Sequence, residues 1–179
     1  MTIRAALPDE ASAVYEVISQ GRARLAALDI DQWQGGRPDL ALIRSDIAAG
    51  CCRIAMEEGR IAATMALFTN GEPSYDQLAD GKWLTTSHSS RPTYACVHRV
   101  AVADRALGRG FAKRMLLFAE EEARERGRVS VRIDTHPRNV PMRALLARCG
   151  YEECGLILLD ESFGEPTRER IALEKLVAR

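Results

Sequence analysis

Apolar residues in the first fifty positions recur at helical spacing in two separate stretches. The first stretch is Pro8–Leu28, where the pattern predicts one long helix or a helix broken at Gly21. The second is Leu40–Ala49, where the apolar side chains share one helical face. A short strand around Thr2–Arg4 is expected before them. Two helices are therefore predicted ahead of the main sheet.

The middle of the chain changes to extended apolar segments. Residues 51–58 and 60–68 are apolar, and Glu58 with Gly59 between them indicates a tight hairpin. Residues 93–102, TYACVHRVAV, form an apolar run with only two polar interruptions. Such a run is typical of a strand that is covered on both faces, so this segment is predicted to be central in the sheet.

A long connection without periodicity, residues 70–92, separates the hairpin from the central strand and is rich in Gly, Pro, Ser and Asp. Ordered connections longer than about 12 to 15 residues are uncommon and often line functional sites. Two interpretations remain open here: a surface insertion that covers the sheet, or a loop that contacts a substrate.

The last third of the chain alternates helix and strand. The patterns predict a helix over residues 111–126, a strand over 129–134, a helix capped by Asn139 that runs to Cys149, and strands over 151–159 and 170–177. The resulting order, β-α-α-β-β-β-α-β-α-β-β, predicts a mixed-sheet α/β fold. A length of 179 residues with 46% hydrophobic content fits one domain, residues 1–179.

Composition narrows the classes of partner. The 25 basic and 25 acidic residues cancel, so bulk binding to nucleic acid or to a membrane surface is not expected. The N-terminus lacks a basic region followed by an apolar one, and no window approaches the ~18 apolar residues of a membrane span. The five cysteines form no C-x-x-C pair, and no histidine has zinc-ligand spacing, which predicts free thiols, no metal and a cytoplasmic location.

The most informative motif is LGRGFA at Leu107–Ala112, between the central strand and the next helix. A P-loop is excluded because its glycines need four intervening residues, and a dinucleotide fingerprint is weak because Lys113 stands where a third glycine is needed. The free N–H groups at a helix start can bind an anion, and glycines let a phosphate approach the backbone.

Positive charge supports this interpretation of the glycine turn. Arg109, Lys113 and Arg114 lie at or before the first turn of the helix, where the macrodipole disfavours each cation by about 0.3 to 1 kcal/mol. A bound anion would offset that repulsion. The alternative is an exposed basic face beside a merely permissive turn.

Taken together, these motifs resemble the GNAT superfamily of acyl-CoA-dependent N-acyltransferases. The family signature is a strand that ends V-x-V, a short turn, and Q/R-x-x-G-x-G/A opening a helix; VAV at Val100–Val102 and LGRGFA fit it. A second family motif, N-x-x-A-x-x-L/F-Y-x-x-x-G-F/Y, is matched in length by NVPMRALLARCGY at Asn139–Tyr151. The resemblance spans nearly the whole chain and implies a mostly antiparallel mixed sheet flanked by helices.

The resemblance also implies how acetyl-CoA, the cosubstrate, would bind. Amides of Gly108–Ala112 would hold the pyrophosphate, and the backbone of Val100–Val102 would bind the pantetheine arm where the central strand bulges and parts from its neighbour, the strand over 129–134. Asn139 matches a position that commonly contacts the cofactor. The cofactor-binding residues expected on this basis are Val100, Ala101, Val102, Leu107, Gly108, Arg109, Gly110, Phe111, Ala112, Lys113 and Asn139.

Two residues depart from the family pattern. Leu107 stands where Gln or Arg is usual, and Arg105 or Arg109 could partly substitute for the missing contact. Leu146 stands where many members place a tyrosine that protonates the leaving thiolate. Binding of the pyrophosphate by the backbone amides does not depend on the residue at position 107. The CoA thiolate, whose conjugate acid has a pKa of about 8.5, can leave without a general acid at position 146.

The implied reaction is direct attack of a primary amine on the thioester, which needs a proton acceptor. His98, just before the V-x-V segment, is the first catalytic candidate and His136 the second, although a histidine packed inside a strand is an equal alternative for His98. Trp33 and Trp83 fall where the family builds its acceptor pocket, and either could instead be a core residue.

Two function hypotheses follow from the sequence. The first is an active N-acetyltransferase for a small-molecule or peptide amine. The second is a catalytically weak or inactive acyl-CoA-binding sensor, which the two leucines favour. A nucleic-acid binder is a distant third, since no aromatic stacking platform lies beside the cations. The last two predicted strands could pair across a two-fold axis, so a homodimer is also an expectation.

Overall fold

The computed structural model describes residues 2–161 and 164–177. These residues form four α-helices and one sheet of eight strands. The helices are α1 (Ala11–Ala27), α2 (Leu40–Ala48), α3 (Phe111–Glu125) and α4 (Val140–Arg148). The strands are β1 (Thr2–Ala5), β2 (Cys52–Glu57), β3 (Arg60–Phe68), β4 (Asp80–Gly81), β5 (Tyr94–Val102), β6 (Ser130–Thr135), β7 (Glu152–Leu158) and β8 (Glu169–Leu176). Within the predicted domain, residues 1, 162–163 and 178–179 lie outside the described part.

The sheet confirms the predicted mixed α/β architecture. Its strand order is β1-β2-β3-β5-β6-β8-β7-β4, and β5–β6 is the parallel pair among antiparallel neighbours. Helix α3 connects β5 to β6, as a parallel connection requires. The predicted order of helices and strands is confirmed, with the two-residue β4 added inside the long connection. No helix in the described ranges is long and apolar enough to cross a bilayer.

Helix α1 is continuous through Gly21, so the long helix is the correct one of the two alternatives. Gly21 is buried, and a Cβ there would meet the Trp33 ring at 3.2 Å and the Ala101 Cβ at 3.4 Å. The missing side chain therefore allows a close approach of the helix to β5 and Trp33 rather than a break.

The connection over residues 70–92 packs against the sheet. Tyr75 is fully buried in a second apolar cluster with Tyr94 and Cys96, separate from the main core between the sheet and the helices. The indole N–H of Trp83 donates to the Tyr75 carbonyl at 2.8 Å. This connection covers one face of the sheet, and it also delivers side chains to the cavity described below.

The paired end of β5 and β6 contains a fully buried ion pair. Arg132 and Glu174 both have 0% side-chain exposure, and their Nε and Oε1 atoms are 3.0 Å apart. The guanidinium lies between the rings of Trp83 and Tyr94, with its carbon 4.3 and 4.1 Å from the two ring centroids. Thr85 accepts from the guanidinium at 2.7 Å through its carbonyl. These contacts fix the long connection to the centre of the sheet.

The other end of the same strand pair is open. Parallel pairing runs from Tyr94–Ser130 to Val97–Ile133 and stops there, while β6 continues to pair with β8 as far as Thr135. A register shift against β3 and a φ of 57° at Arg99 mark a bulge in β5 at the same point. The expectation of a bulged central strand that parts from its neighbour is confirmed.

Candidate active site

A cavity of about 760 Å³ opens where β5 and β6 part. Its walls come from α1, α2, β5, the end of β6 and the start of α4, together with the connections that follow α1, β3 and β7. Leu107 and Ala112 line one end and His98 and Glu72 line another, so one space joins the glycine turn to the histidine.

The glycine turn presents unpaired backbone donors. Gly108 and Gly110 have φ values of 72° and 79°, and a Cβ at either would meet nothing within 4 Å. In the described part of the chain no hydrogen-bond acceptor is found for the N–H groups of Gly108 to Lys113, and the first N–H with a partner belongs to Arg114. Unpaired donors at the start of a long helix form an anion site.

The cations near this turn are arranged differently from the sequence-based expectation. The Arg109 guanidinium makes two contacts with the Glu57 carboxylate, at 2.6 and 2.7 Å. Arg105 donates to the Ile61 carbonyl at 3.0 Å and lies 3.8 Å from Glu57. Arg105 and Arg109, the two side chains that could replace the cofactor contact missing at Leu107, therefore both turn toward Glu57. The charge of Arg109 has an acidic partner without any bound anion.

The edge of β5 beyond the bulge faces the cavity with its backbone. Ala103 donates to the Ala62 carbonyl at 2.9 Å, so alternate residues from Ala101 onward turn toward β3. Because a strand alternates, the N–H and C=O groups of Val100 and Val102 turn the other way. The Val102 carbonyl accepts from Arg24 of α1 at 2.5 Å, which fits that direction.

His98 lies between two carboxylates at the bulge. Its Nε2 atom is 3.3 Å from Glu72 Oε2, and its Nδ1 atom is 3.7 Å from Asp134 Oδ1. Burial by itself would lower the pKa of His98, but Cys96, Glu72 and Asp134 outweigh it and raise the pKa to about 10. Burial would raise the pKa of Glu72, yet His98 and Ser74 lower it to about 2. In the unliganded site this group is therefore an imidazolium flanked by carboxylates.

Tyr75 fixes one of these carboxylates. Its hydroxyl donates to Asp134 Oδ1 at 2.6 Å, and burial raises the pKa of Tyr75 well above its usual value. Sequence analysis missed Glu72, Asp134 and Tyr75 as site residues. The only signals for them were the GEPSY segment in the long connection and an acidic residue at the end of a predicted strand.

His136, the second catalytic candidate, lies elsewhere. Its side chain is 2% exposed, and it is not among the residues that line the cavity. Nδ1 accepts the backbone N–H of Arg138 at 3.0 Å, and Nε2 lies 2.8 Å from Asp31 Oδ1. Burial lowers the pKa of His136 despite that carboxylate. Both ring nitrogens thus face neighbouring groups of the fold.

The two tryptophans predicted for the acceptor pocket lie in different places. Trp33 lines the cavity, and its backbone N–H donates to Glu165 Oε2 at 2.9 Å. Trp83 packs on Arg132 and does not line the cavity. Of the two predicted acceptor-pocket residues, the structure brings only Trp33 to the site.

The start of helix α4 borders the cavity, and its buried face packs into the main core. Asn139 caps the helix, since its Oδ1 atom accepts the Met142 N–H at 3.3 Å, and its Nδ2 donates to Gln32 Oε1 at 3.2 Å. Asn139, Met142 and Leu145 line the cavity, whereas Leu146 is fully buried in the main core. The position expected to carry a tyrosine therefore points into the core.

A further ion pair borders the cavity. Arg99, at the bulge, makes two contacts of 2.9 Å with Asp46 of α2. Burial raises the pKa of Asp46 even though Arg99 lowers it. The pair ties α2 to the irregular part of β5 and was not predicted from the sequence.

Both the sequence and the fold of this chain are similar to those of known proteins. Residues 22–151 match the model of the acetyltransferase (GNAT) family. A GNAT-family acetyltransferase from Streptococcus agalactiae is 33% identical, with 99% of this chain and 96% of that chain covered and a TM-score of 0.86. A GNAT-family acetyltransferase from Listeria monocytogenes has a TM-score of 0.71 at 19% identity, with 98% and 94% covered.

A Bacillus subtilis acetyltransferase in complex with CoA has a TM-score of 0.52 at 19% identity, with 71% of this chain and 76% of that chain covered. No curated protein matches the sequence. The family model covers well over half of the chain, and the structural match to the Streptococcus agalactiae protein extends along nearly all of it. The chain therefore belongs to the GNAT family of acetyltransferases.

Proposed function

We propose that the protein, acting as one domain over residues 1–179, transfers the acetyl group of acetyl-CoA to a primary amine of a small molecule or peptide. The observation that carries this proposal is the coincidence of two sets of unpaired backbone donors. One set lies in the glycine turn before α3, and the other lies along β5 where it leaves β6.

The cofactor residues fit these two sets. The amides of Gly108–Ala112 would hold the diphosphate. Within Val100–Val102, the backbone groups of Val100 and Val102 that turn away from β3 would hydrogen-bond the pantetheine arm. The CoA complex of the structurally similar Bacillus subtilis acetyltransferase supports a CoA ligand on this fold. Asn139 and Leu107 line the same space.

The reaction is direct attack within the cavity. The amine nitrogen forms a bond to the thioester carbonyl carbon, and the C–S bond then breaks to release the CoA thiolate. Backbone N–H groups near Val100 would stabilise the oxyanion between these steps. The thiolate takes its proton from water, because its conjugate acid has a pKa of about 8.5 and Leu146 offers none.

The proton lost by the amine passes to the group formed by Glu72, His98 and Asp134. With His98 protonated, the three side chains carry one net negative charge, so they attract an ammonium and can hold one more proton. His98 is preferred over His136 because His98 lines the cavity, while the ring nitrogens of His136 face Arg138 and Asp31. Trp33 is the proposed acceptor contact.

The proposed location rests on the state of the cysteines, and the proposed assembly concerns the last two strands. All five cysteines are free thiols, which suits a cytoplasmic enzyme. Strands β7 and β8, which could have paired across a two-fold axis, pair with each other inside the chain. The homodimer stays a prediction.

The test is a panel of amines incubated with acetyl-CoA and the purified protein, with free thiol followed over time. We expect thiol release that depends on one class of amine, together with acetylated product by mass spectrometry. Calorimetry with CoA and acetyl-CoA runs beside it. Absence of binding would refute the proposal, and tight binding without turnover on any amine would favour the sensor hypothesis.

A further inference from the structure

Three side chains that can bind a metal meet at the inner end of the cavity. Glu72 comes from the connection after β3, and Cys96 and His98 lie two residues apart on one face of β5. One ligand atom from each lies within 4.8 Å of the other two. We propose that Glu72, Cys96 and His98 form a site for a thiophilic divalent cation of the zinc class, whose binding blocks acetyl transfer.

The donor set fits zinc. Imidazole nitrogen, thiolate sulfur and carboxylate oxygen are its usual protein ligands, and three such ligands with one open position are typical of accessible zinc sites. With Zn–N and Zn–O bonds of about 2.0 to 2.1 Å, a tetrahedral centre places the nitrogen and oxygen about 3.3 Å apart. The observed separation of His98 Nε2 and Glu72 Oε2 is 3.3 Å.

The same nitrogen lacks a hydrogen bond to any described residue. His98 Nε2 is buried and has no partner of acceptable geometry within residues 2–161 and 164–177, although the Glu72 carboxylate is close. A buried polar atom without a hydrogen bond is uncommon and needs an explanation. A cation between the nitrogen and the carboxylate would satisfy both atoms.

The opposite side of the ring has the surroundings of a metal-bound histidine. A ligating histidine usually directs its second nitrogen to a carboxylate that is itself held by a hydrogen bond. Here Nδ1 faces Asp134 Oδ1 at 3.7 Å, and that oxygen accepts the Tyr75 hydroxyl at 2.6 Å. The arrangement leaves Nε2 as the nitrogen that would bind the cation.

Access to the site is through the cavity. Glu72 and His98 line it, and Cys96 is fully buried beside them. A cation entering from the cavity would displace two protons to solvent, one from the Cys96 thiol and one from Nε2 of the His98 imidazolium, and would keep one coordination position open. It would also occupy the His98 nitrogen. Inhibition therefore rests on the proposed function, but binding does not.

The experiment uses Co²⁺ as a spectroscopic substitute for zinc. Metal-free protein is titrated with Co²⁺, and the near-ultraviolet thiolate-to-cobalt band and the visible bands of tetrahedral cobalt are recorded. Zinc is then added to displace the cobalt. We expect one cobalt per chain with a thiolate band in the wild-type protein, and loss of that band in Cys96→Ser.

Two cysteine variants are the controls. Cys154→Ser removes another buried thiol of the same apolar cluster, and Cys51→Ser removes a partly exposed thiol. Both are expected to keep the band, and both should keep acetyl transfer that zinc inhibits. In Cys96→Ser we expect zinc inhibition of the acetyl transfer that this variant retains to weaken by at least about tenfold.

Three results would overturn the proposal: no thiolate band in the wild type, an unchanged band in Cys96→Ser, or loss of the band in Cys51→Ser. Thermal melting and CoA binding check that Cys96→Ser folds. If it does not, Glu72→Gln decides, because it keeps the thiol and should lower cobalt affinity by at least about tenfold. Unchanged affinity in that variant would also refute the site. Because the spectrum needs no turnover, an inactive protein that binds cobalt refutes the proposed function alone.

Discussion

The two ends of the β5–β6 pair are built from the same strands and differ in what fills the space between them. At one end, Tyr94 to Val97 pair with β6, and a buried ion pair is enclosed by aromatic rings. At the other end, His98 to Val102 leave β6 and border a cavity of about 760 Å³. The closed end holds in place the strands whose other end must stay open for a ligand.

The two ends differ in how their polar groups are paired. At the closed end, the Glu174 carboxylate accepts from Arg132, Thr85 and Ser130, so the two buried charges offset each other, while Arg132 Nη1 has no hydrogen bond among the described residues and lies between aromatic rings. At the open end, backbone donors and the His98 Nε2 atom have no hydrogen bond in the described structure. The donors of the glycine turn lie mostly at the surface, and unpaired N–H groups at a helix start beside a cavity are suited to bind an anionic ligand.

The largest effect is expected at the closed end, with Glu174→Gln. This change leaves the fully buried Arg132 cation without its compensating charge. Removing one partner of a buried pair costs about 3 to 5 kcal/mol, so the free energy of unfolding should fall by that amount in urea titration. The matched control is Glu153→Gln, which removes a pair with Arg143 whose side chains are 46% and 36% exposed. It should cost less than about 1 kcal/mol, and equal losses in the two variants would contradict this account of the closed end.

The second-largest effect is expected at the open end, where His98→Gln should lower the rate of acetyl transfer. If the histidine takes part in accepting the amine proton, kcat should fall by about 10² to 10⁴ while acetyl-CoA still binds. Steady-state kinetics and calorimetry measure the two quantities. His136→Gln is the control, because that ring does not line the cavity. A similar loss in both variants, or none in either, would remove His98 from the mechanism.

A third prediction separates ligand contact from backbone strain at the glycine turn. Gly110 and Gly127 have φ values of 79° and 67°, and a Cβ at either would meet nothing within 4 Å. Alanine at either position should therefore lower the free energy of unfolding by about 1 to 2 kcal/mol, and by a similar amount in the two variants. Only Gly110→Ala should also raise KM for acetyl-CoA, by about tenfold, because only there would a phosphate approach the backbone. An unchanged KM would count against the diphosphate cradle.

Local features of this architecture were predictable from the sequence. The Asn139 cap and the turn at Glu58 and Gly59 depend on neighbouring residues, and the structure has both. The contacts of the connection over residues 70–92 were harder to predict, because they are made with segments that are distant in the sequence. Glu72 approaches His98, and Tyr75 reaches Asp134, only because the folded connection lies across the sheet. Spacing along the chain contains no information on such pairs.

The same limit applies to the surroundings of the predicted site residues. Trp33 and Trp83 are chemically equivalent in the sequence, but only Trp33 lies beside the open end of the strand pair. Arg109 was expected to face an anion, yet Glu57 at the end of β2 lies within ion-pair distance. In each case the outcome depends on which strand end is a neighbour. Strand order in the sheet decides that, and local pattern does not.

The smallest effect is expected where α3 is anchored. Glu122 accepts from Arg53 of β2 at 2.9 and 2.5 Å, which holds the helix whose first turn faces the cavity. Burial would raise the pKa of Glu122, but Arg53 outweighs it, so the pKa is lowered in the folded protein. A lowered folded pKa stabilises the fold above the unfolded value of about 4.3 and loses that contribution as pH falls through the folded pKa. Glu122→Gln should thus cost about 1 kcal/mol in urea titration at pH 7. The difference from the wild type should shrink below about pH 4.3 and disappear as the pH falls through the lowered folded pKa of Glu122. Glu125→Gln, at an exposed position on the same helix, is the control and should cost less than Glu122→Gln at pH 7. A constant difference for Glu122→Gln at all pH values would mean that packing, rather than the charge, anchors α3.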